Sequence, residues 1–393
     1  MNINLKKILI RIIIICTFTF IGLKMYGTYD DTYKLKMISY IIEIVVSILC
    51  LIYISLCIKK GRFKFEFNIG ILLLLLIYET LIIFINKDFY FPYFISDTFT
   101  WPLLLVVCVY YSYEYEMSFK HEKIFFLFYL LMIVISFLLI KKHKLLDNNG
   151  EYIFPIYFCI TFLPLFLYYV KSKRKKNIIL ILSIMTVLLS TKRAGTIAII
   201  VGVFIYYLIE AYIQNTVKGK LKNYIKIIIL VMIGVFTFYY LATNSNLEIF
   251  TRFKKLANDG GSGRDIIWET VYDAYSNSSN LKKIFGHGFQ SVYYSLKPLG
   301  KNRMAHNSYL EYLYDYGLIG LSIIIIFLLK NSLTCLVMIK EKNKSAPVIA
   351  FAIILSVIFS IFSYFYEQSV IIIPIAILLG IVTGETLRLK KEN

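Results

Sequence analysis

Apolar runs of about 18 residues or more recur from one end of this 393-residue chain to the other, the signature of membrane-spanning segments. Lipid offers no water to the peptide groups, so each run must satisfy its own N–H and C=O groups, and helices are the answer for continuous runs. The mean hydropathy of +0.70 and the 59% hydrophobic content agree, since a soluble domain of this length needs far more polar surface. The first run, Ile8–Leu23, follows Lys6 and Lys7 in the manner of a signal peptide. No small-residue cleavage site follows it, so it reads as a retained helix. The cysteines, Cys16, Cys50, Cys57, Cys108, Cys159 and Cys335, all lie in apolar runs without paired spacing or a neighbouring histidine. They read as embedded thiols, with no disulfide frame or zinc site implied.

The fold class is therefore an all-α polytopic membrane protein. Helices are predicted near 8–26, 37–58, 67–85, 94–112, 124–140, 153–170, 177–190, 196–213, 225–242, 308–339, 346–365 and 369–387. That gives about twelve spans, divided into an N-terminal bundle (1–242), one large polar loop (243–307) and a C-terminal part (308–393). With both termini in the cytoplasm, the inner connections hold about 23 basic residues and the short outer ones about 9. KKHK at 141–144 is the exception, landing outside. The net charge of +19 is then a topology signal, with attraction to anionic lipid headgroups as a by-product. Nucleic acid is excluded as a partner, because the basic residues are scattered between helices rather than gathered on one folded face. The 243–307 loop falls outside.

That loop has internal order. Ser262-Gly-Arg-Asp265 resembles a capping box and opens an amphipathic helix, RDIIWETVYDAYS, with Ile266, Ile267, Val271 and Ala274 on one face. NSSN (277–280) and IFGHGF (284–289) follow, where two glycines flank His287 and let the backbone turn or approach a neighbour closely. Then comes RMAHNSYLEYLYDYGLIGL, residues 303–321. Ser308-Tyr-Leu-Glu311 is a capping box that starts the 308–339 helix at Ser308. His306 and Asn307 stand just before it, beside the positive end of a helix dipole. Gly317 and Gly320 suit close packing against another helix. A histidine so placed is suited to act as a general base near an anionic group.

A lone loop histidine is commonly a solvated or hydrogen-bonded structural residue. What singles out His306 is its company at the same membrane face. Lys192 and Arg193 sit between two apolar runs in LLSTKRAGTIAII, where cations are costly without a partner unless they snorkel to the interface. Arg264 stands in the first turn of the loop helix, an unfavourable place for a cation that a negative ligand would repair. Glu43, Glu79 and Glu210 fall in or near helices, as proton-relay carboxylates of a transporter do. Glu311 is a capping partner or an orienter of the imidazole.

Arg264 in SGRDIIW, FGHGF, AHNSYLEYLYDYGLIGL and the STKRAG element together resemble the O-antigen polymerase and O-antigen ligase superfamily. The motifs cover roughly residues 185–330, with Thr191-Lys-Arg-Ala-Gly195 departing from the family's Ser-Arg-Gly form. The resemblance implies a lipid-linked glycosyltransferase of the bacterial cytoplasmic membrane, whose donor is a glycan on a polyprenyl diphosphate. A sugar hydroxyl attacks the anomeric carbon and diphosphate leaves. His306 would be the catalytic base, and Arg193, Arg264 and Lys192 the diphosphate-binding cations. Asn307, His287, Glu311 and Tyr309 would bind substrate or support the site. No metal and no cofactor is expected, since no Asp-x-Asp pair or phosphate-cradling Gly-rich loop occurs. Expected partners are the lipid-linked oligosaccharide, membrane lipids, a flippase and a chain-length regulator.

Polymerisation of repeat units into a surface polysaccharide (capsule, exopolysaccharide or O-antigen) is the leading reading. Ligase-type transfer to another acceptor is the alternative within the family. A lipid-glycan flippase or solute transporter is the rival of a different class. Orientation is testable by cysteines introduced at Asn277 and Lys176. In intact cells an impermeant thiol reagent should label Asn277→Cys and leave Lys176→Cys untouched; the reverse pattern would overturn the topology.

Overall fold

The computed structural model describes residues 3–30, 33–59, 66–83, 94–115, 122–146, 155–190, 192–214, isolated positions between 216 and 232, 260–296 and 304–392. The predicted 225–242 helix, apart from isolated positions, lies outside the described residues, as do the loop stretches 243–259 and 297–303 and Thr191. The described residues are helical, with no strand among them. In chain order they form α1 (Ile3–Asp30), α2 (Tyr33–Lys59), α3 (Phe67–Ile83), α4 (Thr100–Glu114), α5 (Glu122–Leu146), α6 (Pro155–Tyr169), α7 (Lys173–Leu189) and α8 (Arg193–Ile213). Within the polar stretch lie α9 (Gly260–Ser276), α10 (Asn280–Phe285) and α11 (Ser291–Leu296). After them come α12 (Ser308–Asp315), α13 (Gly317–Lys340), α14 (Ala346–Phe362) and α15 (Ser369–Glu392).

Among the described residues, five helical stretches are long and apolar enough to cross a membrane: Met37–Ile58, Ile95–Glu114, Arg193–Ile213, Gly317–Lys340 and Ser369–Lys391. Phe67–Ile83, Phe126–Leu138, Ile156–Tyr169 and Ala346–Phe362 are shorter apolar helices. The chain is a polytopic α-helical membrane protein. On α13, Leu318, Ile325, Ile326, Leu329, Leu333, Leu336 and Val337 stand exposed while Ile324 and Phe327 are buried. A helix with an outward face that apolar is built for lipid. The six cysteines are free thiols, five of them buried.

Contacts divide the chain into two units. The first comprises Met1–Lys120, Thr270–Phe327 and Tyr364–Asn393; the second comprises His121–Glu269 and Leu328–Ser363. In the first unit α15 lies on α4 through Gly380 and Gly384, spaced as in GxxxG. A Cβ on either would overlap the Leu105 or Val109 carbonyl, so the two backbones touch. A single π-helical turn, Ile95–Phe99, leads into α4. A buried ion pair, Lys6 Nζ to Glu114 at 2.7 Å, ties α1 to α4. In the second unit α8 packs on α14, with Gly202 against the Phe351 ring. The Tyr129 hydroxyl joins α5 to α7 at Ser183, 2.7 Å away.

Two expected features come out differently. The 308–339 helix is broken: α12 ends at Asp315, and α13 begins at Gly317, whose φ is +66°. Apolar periodicity runs on across the break, whereas the left-handed residue redirects the chain. The loop helix starts at Gly260, ahead of Ser262, and Gly263 at φ +73° interrupts it just before Arg264. Its buried face is Ile267 and Val271, while Ile266 is exposed.

The break is locked from outside. Gly286 (φ +89°) lies against the Asp315 carbonyl and Gly317 against the Ile284 carbonyl, each so close that a Cβ would overlap it. The Tyr78 hydroxyl lies 2.8 Å from both the Phe285 and Tyr316 carbonyl oxygens. Gly286→Ala should therefore cost about 1–3 kcal/mol in overpacking alone, read as a lower melting temperature in detergent. Gly22→Ala, within α1 and with open space around it, is the control and should not lower the melting temperature, since alanine is the better helix former.

Candidate functional site

The HN element is built on the first turn of α12. Asn307, rather than Ser308, is the N-cap: its Oδ1 accepts from the Leu310 N–H at 3.1 Å. Ser308 is one position inside, and its hydroxyl accepts from the Phe365 N–H at 2.7 Å. The expected Ser308/Glu311 capping box is therefore not formed, and Asn307 caps the helix with Leu310 at the third position. Glu311 Oε1 accepts from the His306 N–H at 3.1 Å, and so holds the residue ahead of the cap. His306 itself is left-handed, at φ +54°. That conformation is uncommon for a residue with a Cβ and is kept only where its surroundings enforce it. Its ring lies on Tyr364, centroids 4.6 Å apart. Asn307 is thereby committed to the helix start, and Glu311 to the backbone of His306 rather than to its ring.

Carboxyl groups crowd beneath this turn. Glu311 is fully buried and Glu367 is 7% exposed, and the two carboxyls face one another. Burial raises Glu311 from the usual carboxylate range to about 8, with Asp315 adding to the rise and Glu367 and the His306 and Ala305 N–H groups opposing it. Burial likewise pushes Glu367 well up, reinforced by Glu311. Asp315 Oδ1 accepts from the Val292 N–H at 2.9 Å and so anchors the start of α11. The Tyr312 hydroxyl donates to Glu79 at 2.9 Å.

His287 is held on both ring nitrogens. Nδ1 donates to the Tyr314 carbonyl at 3.0 Å, Nε2 lies 2.9 Å from the Ser278 hydroxyl, and the ring stacks on Tyr314 at 4.1 Å. Burial lowers its pKa, favouring the neutral ring. It fastens FGHGF to α12, while Phe289 seats edge-on against Phe94. Tyr309 is half-buried on α12.

The cations belong to the other unit. Lys192 is the N-cap of α8, with no side-chain cap bond, and Arg193 is its first helical residue. No acidic residue occupies the first turn of α8 or of α9, so both helix starts present positive charge. Within this unit the two arginine elements share a neighbour. Arg264 acts electrostatically on Tyr157, and the Tyr157 ring is 3.5 Å from where a Cβ on Gly195 would sit. The structure thus groups His306, Asn307, Glu311 and His287 in the first unit and Lys192, Arg193 and Arg264 in the second.

Sequence reasoning overlooked Tyr364 and Glu367. Both lie in SYFYEQS (363–369), between the last two apolar helices. The available signal was an acid in a short, aromatic connection at the predicted outer face. The helical carboxylates singled out as relay candidates are each engaged. Ser96 donates to Glu43 at 2.6 Å with Lys24 3.6 Å away, Tyr312 bonds Glu79, and Lys173 lies 3.3 Å from Glu210.

A family model described as O-antigen ligase matches residues 178–325, a segment holding both arginine elements, FGHGF and His306. No curated protein sequence matches the chain.

The cap assignment is testable. Asn307→Ala should cost about 0.5–2 kcal/mol through loss of the N-cap, whereas Asn307→Asp keeps an acceptor and should keep most of the stability. Thermal unfolding in detergent measures both, and equal damage from the two would remove the capping role.

Proposed function

From the match of residues 178–325 to a family model described as O-antigen ligase, we propose a glycosyltransferase that polymerises lipid-linked oligosaccharide repeat units at the outer face of the cytoplasmic membrane. Glycosyl transfer is the activity of the family. Polymerisation, the polyprenyl diphosphate donor and freedom from metal are our reading. The observation that carries it is the enforced left-handed His306 at the start of α12.

The chemistry follows from that placement. An acceptor hydroxyl must lose a proton as it attacks the anomeric carbon, and His306 Nδ1 or Nε2 takes it. Glu311 is a poor substitute as base, because burial keeps its carboxyl protonated to about pH 8 and one of its oxygens is bound to the His306 N–H. As the C–O bond to the donor breaks, charge gathers on the diphosphate. Arg193 and Arg264, with Lys192, supply charge-assisted hydrogen bonds to it, and guanidinium matches phosphate oxygens in pairs. Asn307, His287 and Glu311 hold the loop and the helix start; Tyr309 offers a ring to a sugar face. Transfer of finished glycan to a second acceptor would use the same residues.

His306→Ala should lower polymer formation by about 10²–10⁴-fold while lipid-linked single units accumulate. Polymer length on a gel, at matched membrane levels of protein, measures it, and long chains from this variant would overturn the assignment. Arg193→Lys and Arg264→Lys keep charge but lose the planar fork. A lost charge-assisted contact is worth about 1.5–3 kcal/mol, so each should cut yield roughly ten- to a hundredfold. Near-normal yield in both would reduce the arginines to topology or packing roles.

A further inference from the structure

We propose that Glu367, in the connection between α14 and α15, is a positioning residue for His306, acting through a proton shared with the Glu311 carboxyl. The proposal rests on the reading of His306 as the base.

Among the described residues, no N–H or O–H of another group reaches Glu311 Oε2 or either carboxyl oxygen of Glu367. Both side chains are more than nine-tenths buried. Two facing buried acids whose remaining oxygens have no other donor are stable together only if a proton lies between them; both ionised, they repel in a medium of low dielectric. That proton fixes Glu311 in one rotamer. Its other oxygen, Oε1, is then aimed at the His306 N–H, 3.1 Å away. This bond secures the left-handed turn at φ +54° that lays the imidazole on Tyr364. Glu367 reaches the same turn by a second route. Tyr364 and Phe365 precede it in the connection, and the Phe365 N–H bonds the Ser308 hydroxyl at 2.7 Å. The connection therefore grips the start of α12 at the His306 ring, at Ser308 and at Glu311.

The groups acting on Glu367 are Glu311, Asp315, Tyr312 and Tyr316 from α12 and the residue following it, Asp97 from the π turn, and Glu79 from α3. All are acids or phenols, so none favours its ionised form. Folding raises the affinity of the Glu311 carboxyl for its proton. The stabilisation it brings is thus full below the ordinary carboxylate range and is lost as pH climbs through about 8. Above that pH the hold on His306 loosens.

The test compares Glu367→Ala and Glu367→Gln in membranes carrying lipid-linked repeat units. Two readouts are taken: polymer yield against pH, and the rate of His306 carbethoxylation by diethyl pyrocarbonate, followed by mass spectrometry of its peptide. Glu367→Ala should free the turn, raise the modification rate several-fold and cut yield on the order of a hundredfold, the loss typical of a misplaced catalytic group. Glu367→Gln donates from its amide without titrating. It should keep both values near wild type and extend activity to higher pH. Wild-type behaviour of Glu367→Ala, or a Gln variant with an unmoved alkaline limb, overturns the proposal. If the Ala variant does not reach the membrane, the alkaline limb of the Gln variant decides alone. If His306→Ala still polymerises, the reading of the base fails, whereas the carbethoxylation rates still decide whether Glu367 positions that residue.

Discussion

The backbone contact between Gly286 and Gly317 is the joint on which the polar part of the first unit depends. Each glycine lies against a carbonyl of the other's segment, and each has a positive φ. A Cβ at either place would force the segments apart. With none, FGHGF lies directly on the break between α12 and α13. Tyr78 then reaches both carbonyls and His287 bonds Tyr314. Asp315, at the end of α12, caps the start of α11. These contacts set the direction of α12, and α12 carries His306 at its start. Two glycines with no chemistry of their own thus determine where an imidazole can stand.

A second constraint is the low dielectric around the helix ends. Glu311 and Glu367 are buried where ionisation is expensive, and the structure meets that cost by pairing them. The same reasoning separates the carboxyls from the imidazole as candidate bases. An acid that retains its proton beyond neutrality cannot accept another. The side chain of His306 is half-buried. The environment that makes Glu311 a poor base makes it a good support, since a neutral carboxyl both donates to its partner and accepts from a backbone N–H.

Much of the fold was legible because lipid imposes a strong and simple rule: apolar runs of sufficient length become helices. The apolar runs were clear from composition and the amphipathic loop helix from its periodicity, whereas α10 and α11 were not foreseen. The break at Gly317 was hidden, because GLIGL continues the apolar pattern and only the contact with Gly286, distant in sequence, requires the left-handed turn. The cap was misplaced by one residue, since Ser308-x-x-Glu311 satisfies the capping-box pattern as well as Asn307 does. What decided it was Phe365, whose N–H claims the Ser308 hydroxyl. Glu367 was illegible for a related reason. Its meaning lies in facing Glu311, and no local pattern encodes a tertiary pair. The helix start beside His306 could be read from local pattern, whereas the loop helix begins at Gly260 and takes Arg264 out of the first turn; residues defined by partners could not be read.

The carboxylates that suggested a transporter each have a partner in the structure. A proton relay in an alternating-access protein needs acids that exchange partners as the protein moves. Glu79 instead bonds Tyr312, on the helix that carries His306. Glu43 bonds Ser96 on the π turn leading into α4, and Lys24 from α1 approaches the same carboxylate. Breaking either would leave a buried acid uncompensated, at several kcal/mol for a charged group. α4 is in turn locked to α15 through Gly380 and Gly384, where backbones meet without intervening side chains. Such contacts resist sliding. Rigidity of this kind would serve the proposed glycosyl transfer, because catalytic orientation fails with displacements near 1 Å.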